Sequence, residues 1–276
     1  MDPNVRQSFI IFKQIPLTMR TIFLLALLLT FTLTAYSQGA TLAANNVNVR
    51  SEPHLDGKVV AKLPIGTELE VVSDDLENLT IKGIEAPWAQ VNFTHEGNTM
   101  TGYLWSGFFS EQGDELQNGV QLFWRPFKAK EHEYWTEIFY QIRAVKGNEE
   151  LSSLEFSGIG SLGTSRYLTV HDGRGVPKVK NVLEFEFSDD FCGGAFGRVV
   201  CFWDGQDLHF VKEQREGADA PVWSEEYFIY PSDSNGVAGE LILVNIEGGE
   251  DEEGKESIDR WEKRFAWKAG KLVEKK

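Results

Sequence analysis

From Thr41 onward the apolar residues of this chain fall into short runs of strand length, and turn residues separate the runs. Leu183-Glu184-Phe185-Glu186-Phe187 alternates strictly, the period of a strand with one face buried and its carboxylates turned to water. Glu240 to Ile246 (ELILVNI) is a nearly continuous apolar run and reads as a central strand. Lys146-Gly147-Asn148, Asp204-Gly205 and Asn235-Gly236 supply turn chemistry between such segments. The pattern predicts an all-β chain. A segment near Glu131–Phe139 is the one place where a helix competes, and its Tyr, Trp, Thr and Ile favour strand.

Charge narrows the partners. The chain has 276 residues with 27 Lys and Arg against 42 Asp and Glu, a formal charge of -15. Each phosphate contact needs a basic side chain, so this balance argues against nucleic acid and anionic membrane surfaces. The first 37 residues stand apart from the rest. Arg20 precedes the apolar run Ile22 to Leu33, and Ala35-Tyr36-Ser37 follows with small residues at both ends. That order is expected of a secretory signal peptide, with Met1 or Met19 as the initiator, and the run is too short to span a bilayer of about 30 Å comfortably. Its removal would delete Arg6, Lys13, Arg20 and Asp2, leaving an exported remainder more acidic still and without an integral membrane segment.

Residues 38–112 predict a small barrel, about five strands closed so that few edges remain exposed. Three sequence blocks carry a resemblance here: Asn48-Val49-Arg50-Ser51-Glu52-Pro53, Lys58 to Thr67 (KVVAKLPIGT), and Leu69-Glu70-Val71-Val72. With Trp88-Ala89-Gln90-Val91 and Gly102-Tyr103-Leu104-Trp105 after them, they resemble a bacterial SH3 (SH3b) domain. Two departures stand out: residues 73–86 form a longer connection than usual, and Tyr103 replaces the customary Trp. The resemblance implies a module that binds peptides, often cell-wall stem peptides, between the Arg-Ser-x-Pro loop and an aromatic groove. Arg50, Glu52, His54, Trp88, Tyr103 and Trp105 are then the ligand-binding candidates. The bare residues also allow a simpler arrangement, with Arg50 solvated and the aromatics packed inside.

Residues 113–276 predict a larger antiparallel meander or sandwich of no recognised family. Cys192 and Cys201 are the two thiols and flank a Gly-rich turn, so in an oxidising compartment a disulfide is expected. A cysteine peptidase fits poorly. Phe191 separates Asp190 from Cys192, and the following His209 sits within an apparent strand. The five His are scattered without zinc spacing. Asp233-Ser234-Asn235-Gly236 lacks the third acidic position of a calcium loop and reads as a turn. Glu247 to Glu256 holds six carboxylates and one Lys and is expected to be a solvated loop. Neither a metal nor a cofactor is called for. The chain therefore reads as an exported, periplasmic or extracellular binding protein of the cell envelope, without enzymatic activity. Its partner would be a cell-wall peptide or another protein. The alternative is a secreted hydrolase with a carboxylate-based site in the C-terminal β domain.

Overall fold

The computed structural model describes residues 38–160, 164–188, 196–219, 221–250 and 255–276. The signal peptide expected over residues 1–37 lies outside the described residues. Gln38–Lys276 forms one compact unit. Among the described residues the regular elements are strands, apart from two short 3-10 segments at Ser106–Phe108 and Gln117–Gly119.

The barrel comes first. Its strands are β1 (Gln38–Thr41), β2 (Val47–Arg50), β3 (Val59–Leu63), β4 (Glu68–Ser73), β5 (Asn78–Ile81), β6 (Ile84–His95) and β7 (Asn98–Trp105). They lie in the order β1-β4-β6-β7-β2-β3, with β5 paired to the first part of β6. Every second residue points inward: Val47 and Val49, Ala61 and Leu63, Ala89, Val91 and Phe93 fill the barrel. Lys82-Gly83 and Glu96-Gly97 both have positive φ, the two-residue turn whose twist matches the flanking strands.

A four-stranded meander follows, built from β8 (Gln112–Leu116), β9 (Val120–Glu131), β10 (Thr136–Lys146) and β11 (Glu149–Ser157). An eight-stranded meander completes the chain: β12 (Ser165–Asp172), β13 (Asn181–Ser188), β14 (Phe196–Trp203), β15 (Leu208–Asp219), β16 (Val222–Ile229), β17 (Leu241–Glu250), β18 (Glu256–Lys268) and β19 (Lys271–Glu274). Neighbouring strands in sequence are neighbours in both of these meanders. The expected alternation therefore organises most of the C-terminal part.

Both faces of the β13–β14 layer are buried. One face sends Leu183, Phe185, Phe187, Val199 and Cys201 against Leu122, Trp124, Tyr140 and Ile142 of the four-stranded sheet. The other sends Val182, Val200 and Phe202 against Phe228, Tyr230, Leu241, Leu243 and Trp267. Where β8 meets β12, a side chain replaces a ladder. The Gln112 amide donates to Leu168 O at 3.2 Å and its Oε1 accepts from Leu168 N–H at 3.2 Å. The Arg166–Glu111 ion pair, 2.6 Å, lies at the same junction.

Two expectations change, and a third is not shown. Glu184 does not face water, because a second apolar layer covers that side of β13. It is 6 % exposed, accepts a 3.0 Å hydrogen bond from Tyr230 Oη, and meets Arg174 at 3.4 Å and Arg198 at 3.9 Å. The acidic run is not simply a loop, since Glu247–Glu250 belong to β17 and Glu256 to β18, while 251–254 lie outside the described residues. The expected disulfide is not shown. Cys201 is a free, wholly buried thiol pointing into the core beside Leu183 and Phe185, and Cys192 lies outside the described residues. Burial pushes the Cys201 thiol well above its usual range, so the reactive thiolate is suppressed. Maleimide labelling with peptide mapping should leave Cys201 unmodified in native protein and label it after denaturation. Native labelling, or a 192–201 cross-link, would contradict this.

Candidate functional site

The loop after β2 is built around Arg50. Its Nη1 donates to Gly57 O at 2.8 Å, and Ser51 N–H donates to Lys58 O at 2.9 Å, closing the loop at its base. Within it, His54 N–H donates to Glu52 O at 2.8 Å and Gly57 N–H to His54 O at 3.0 Å. A Cβ on Gly57 would stand 2.9 Å from Glu52 O and 3.1 Å from His54 O, so the tight turn needs glycine. His54 Nδ1 lies 3.5 Å from Asp56 Oδ2, both largely solvated.

Strand register arranges the rest. Val59, Arg50, Tyr103 and Gln90 are successive partners across β3, β2, β7 and β6, a single row on the outside of the barrel. Val49, Leu104 and Ala89, one position along, are wholly buried inside it. Arg50 and Tyr103 are half-buried, while Glu52 and His54 are exposed. Leu55, 52 % exposed, and Val59, 44 %, add apolar surface that sequence reasoning did not single out. Four of the six candidates thus belong to the loop and the row it borders.

Trp88 and Trp105 do not join them. They are directly opposed on β6 and β7, and only 5 % and 2 % exposed. Trp105 packs in the core it shares with Trp124, Tyr140 and Phe185. Its Nε1–H is shared between Leu79 O at 2.9 Å and Ala86 O at 3.0 Å, the backbone of the β5–β6 hairpin. Phe108 meets the indole edge-on at 5.1 Å between centroids. A Cβ on Gly107 would fall 2.3 Å from the same ring, so glycine there leaves the space the indole fills. Two of the aromatics that the resemblance assigns to a groove are therefore buried within the protein. The cause is the long connection: Ile84 is buried in this core, and Leu79, Ile81 and Ala86 pack against it.

Arg125 is the residue of this junction that the sequence concealed within an ordinary strand. It is 5 % exposed, donates through Nη1 to Gly107 O at 2.9 Å and Pro126 O at 3.0 Å, and lies near the Phe108 and Phe127 rings. Burial, with Arg143 nearby, lowers its pKa to about 10. A cleft of about 440 Å³ opens beside it, with Asp74, Glu85, Ser106, Glu111 and Arg166 among its walls.

Several carboxylates of the larger part are held by neighbouring side chains or backbone groups. Glu184 is the one carboxylic residue buried among the described residues, held as above with His171 Nε2 at 3.4 Å. Asp233 accepts from Tyr230 N–H at 2.9 Å and from Arg174 Nη2 at 2.9 Å, which explains its turn without an ion. His209 pairs with Asp204 at 2.8 Å. Among the described residues no group of three or more His, Cys, Asp or Glu is placed to hold a metal.

Comparison with known proteins agrees with the barrel. Residues 45–110 match the family model of the bacterial SH3 domain, so the N-terminal module is one. No curated protein and no solved structure matches the chain. Replacing Trp105 with Ala should cost about 3–5 kcal/mol in denaturant unfolding, by emptying a shared core and orphaning two carbonyls. A cost near that of an exposed strand residue would show that the indole does not hold the junction.

Proposed function

We propose that this chain is an exported binding protein of the cell envelope that does no chemistry of its own. Its SH3 module would take a peptide or cell-wall ligand on the loop after β2. The observation that carries the reading is the match of residues 45–110 to the bacterial SH3 domain, a module found in envelope and extracellular proteins that bind such ligands. The ligand face comprises Arg50, Glu52, His54 and Tyr103, with Leu55 and Val59 as its apolar part. Trp88 and Trp105 serve as buried structure. Tyr103 supplies a ring for stacking or apolar contact, and its hydroxyl can hydrogen-bond. Arg50 acts mainly by holding the loop, since Nη1 is committed to Gly57 O.

The formal charge of -15 shapes the ligand. Anionic wall polymers would be repelled, whereas a peptide offering an amine suits Glu52 and the acidic surroundings. Among the described residues no helix is long and apolar enough to cross a membrane.

Binding to purified peptidoglycan, with and without its stem peptides, tests the proposal. Retention should require the peptides and weaken at high salt. Tyr103→Ala should reduce affinity about tenfold with the circular dichroism spectrum unchanged. Undiminished retention by that variant would remove the loop face from the reading. Clearing of a cell-wall or polysaccharide zymogram by wild type would favour the hydrolase instead.

A further inference from the structure

The C-terminal meander holds an indole flat against its own backbone with one side left open. Trp223 lies directly opposite Gly248, and Gly248 opposite Ile258, so the three share one face of β16, β17 and β18. A Cβ on Gly248 would fall 2.3 Å from Trp223 Cε2 and 2.5 Å from its Nε1, so the ring rests across bare glycine. Trp223 is nonetheless 40 % exposed, and its Nε1–H makes no hydrogen bond among the described residues. Ile258, 65 % exposed, ends the row.

Register extends this face in two further rows. Glu225, Ile246 and Arg260 form one, and Tyr227, Val244 and Glu262 the next. β17 thus supplies a smooth apolar centre line, with the two aromatics on its β16 side. Arg260 and Glu262 stand exposed on the β18 side, paired at 2.6 Å. The opposite face of these strands is the one that builds the core, through Phe228 and Leu243. A hollow of about 620 Å³ has Trp223, Gly248 and Ile258 among its walls, a size that suits a small ligand.

The chemistry of the face selects the ligand. A flat indole beside planar hydrogen-bonding groups matches a molecule with one apolar side and a polar rim. A pyranose ring has that build, with C–H groups on one side and hydroxyls around its edge. The C–H groups meet the electron-rich face of the indole. A carboxylate accepts from hydroxyls, and a guanidinium donates to them. An added peptide strand needs a sheet edge, which the middle of a sheet face does not offer. The formal charge of -15 opposes anionic headgroups, nucleotide phosphates and acidic sugars alike.

We propose that this face of β16–β18 binds a neutral glycan, with one pyranose ring stacked on Trp223. Glu225, next to Trp223 on the same face of β16, and Arg260, next to Ile258 on β18, take its hydroxyls. Tyr227 continues the platform along β16 for a second sugar. Gly248 is the positioning residue, because any side chain there would lift the indole off the sheet. This surface is separate from the Arg50 loop, so the chain would carry two binding faces of different chemistry.

Calorimetric titration of the purified full chain with neutral trisaccharides of glucose, N-acetylglucosamine, mannose and xylose tests this, with trigalacturonic acid as the anionic control. At least one neutral trisaccharide should bind at about 1 mM or tighter, and the acidic one should not. Trp223→Ala should weaken that binding at least about tenfold, and Gly248→Val should do the same with the indole still present. Trp135→Ala, at an exposed indole on the β9–β10 turn, should leave it unchanged. Binding by none of the neutral sugars, or binding that survives Trp223→Ala, would overturn the proposal. A dimer in sedimentation equilibrium that Trp223→Ala dissolves would name a second copy as the occupant instead and also overturn it. These probes carry no stem peptide, so their failure leaves the SH3 reading standing.

Discussion

One indole joins the two parts of this protein. Trp105 ends the last strand of the SH3 barrel, yet its ring lies in the core formed by the sheets that follow. Its N–H is satisfied by two carbonyls of the β5–β6 hairpin, so a large apolar group is buried without an orphaned donor. Hairpin, barrel and four-stranded sheet meet on this side chain. Arg125 reinforces the joint by donating to Gly107 O, within the 3-10 turn that starts next to Trp105. Ala129 N–H donates to Lys82 O at 2.9 Å and ties the tip of the hairpin to β9.

This joint alters what the SH3 module can offer. The aromatics that could have lined a groove are spent on cohesion, leaving the Arg50 loop and the Tyr103 row as the open face. Beyond the joint, the β13–β14 layer is apolar on both faces and tolerates one buried carboxylate only because Arg174, Arg198 and Tyr230 surround it. Glu184 therefore reads as a tie between layers. The same meander leaves Trp223 and Ile258 exposed on the face of β16–β18 that turns away from the core.

Much of this was legible in the residues. Period-two alternation marked β13, the run at Glu240–Ile246 marked β17, and the Asn48–Pro53 block identified the module. The misses have physical causes. β11 alternates only weakly through Leu151, Leu154 and Phe156, and β18 is so charged that its strand period carries no apolar signal. Glu184 looked solvent-facing because alternation shows which residues share a face, but not whether another layer covers it. Trp88 and Trp105 were assigned to a groove by resemblance, although the unusual length of residues 73–86 was the sign that something extra packs there. Arg125 gave no sign at all, since a lone basic residue in a strand is normally solvated.

The SH3 module and the sheets behind it share a core and should therefore open as one cooperative body. Native-state hydrogen exchange tests this most directly, comparing the slowest amides of β6–β7, β9–β10 and β13–β14 across increasing denaturant. A shared core predicts that all three sets merge into one opening free energy with one denaturant dependence. Separate opening of the β6–β7 amides, at lower free energy and with a smaller denaturant slope, would show instead that the barrel unfolds independently.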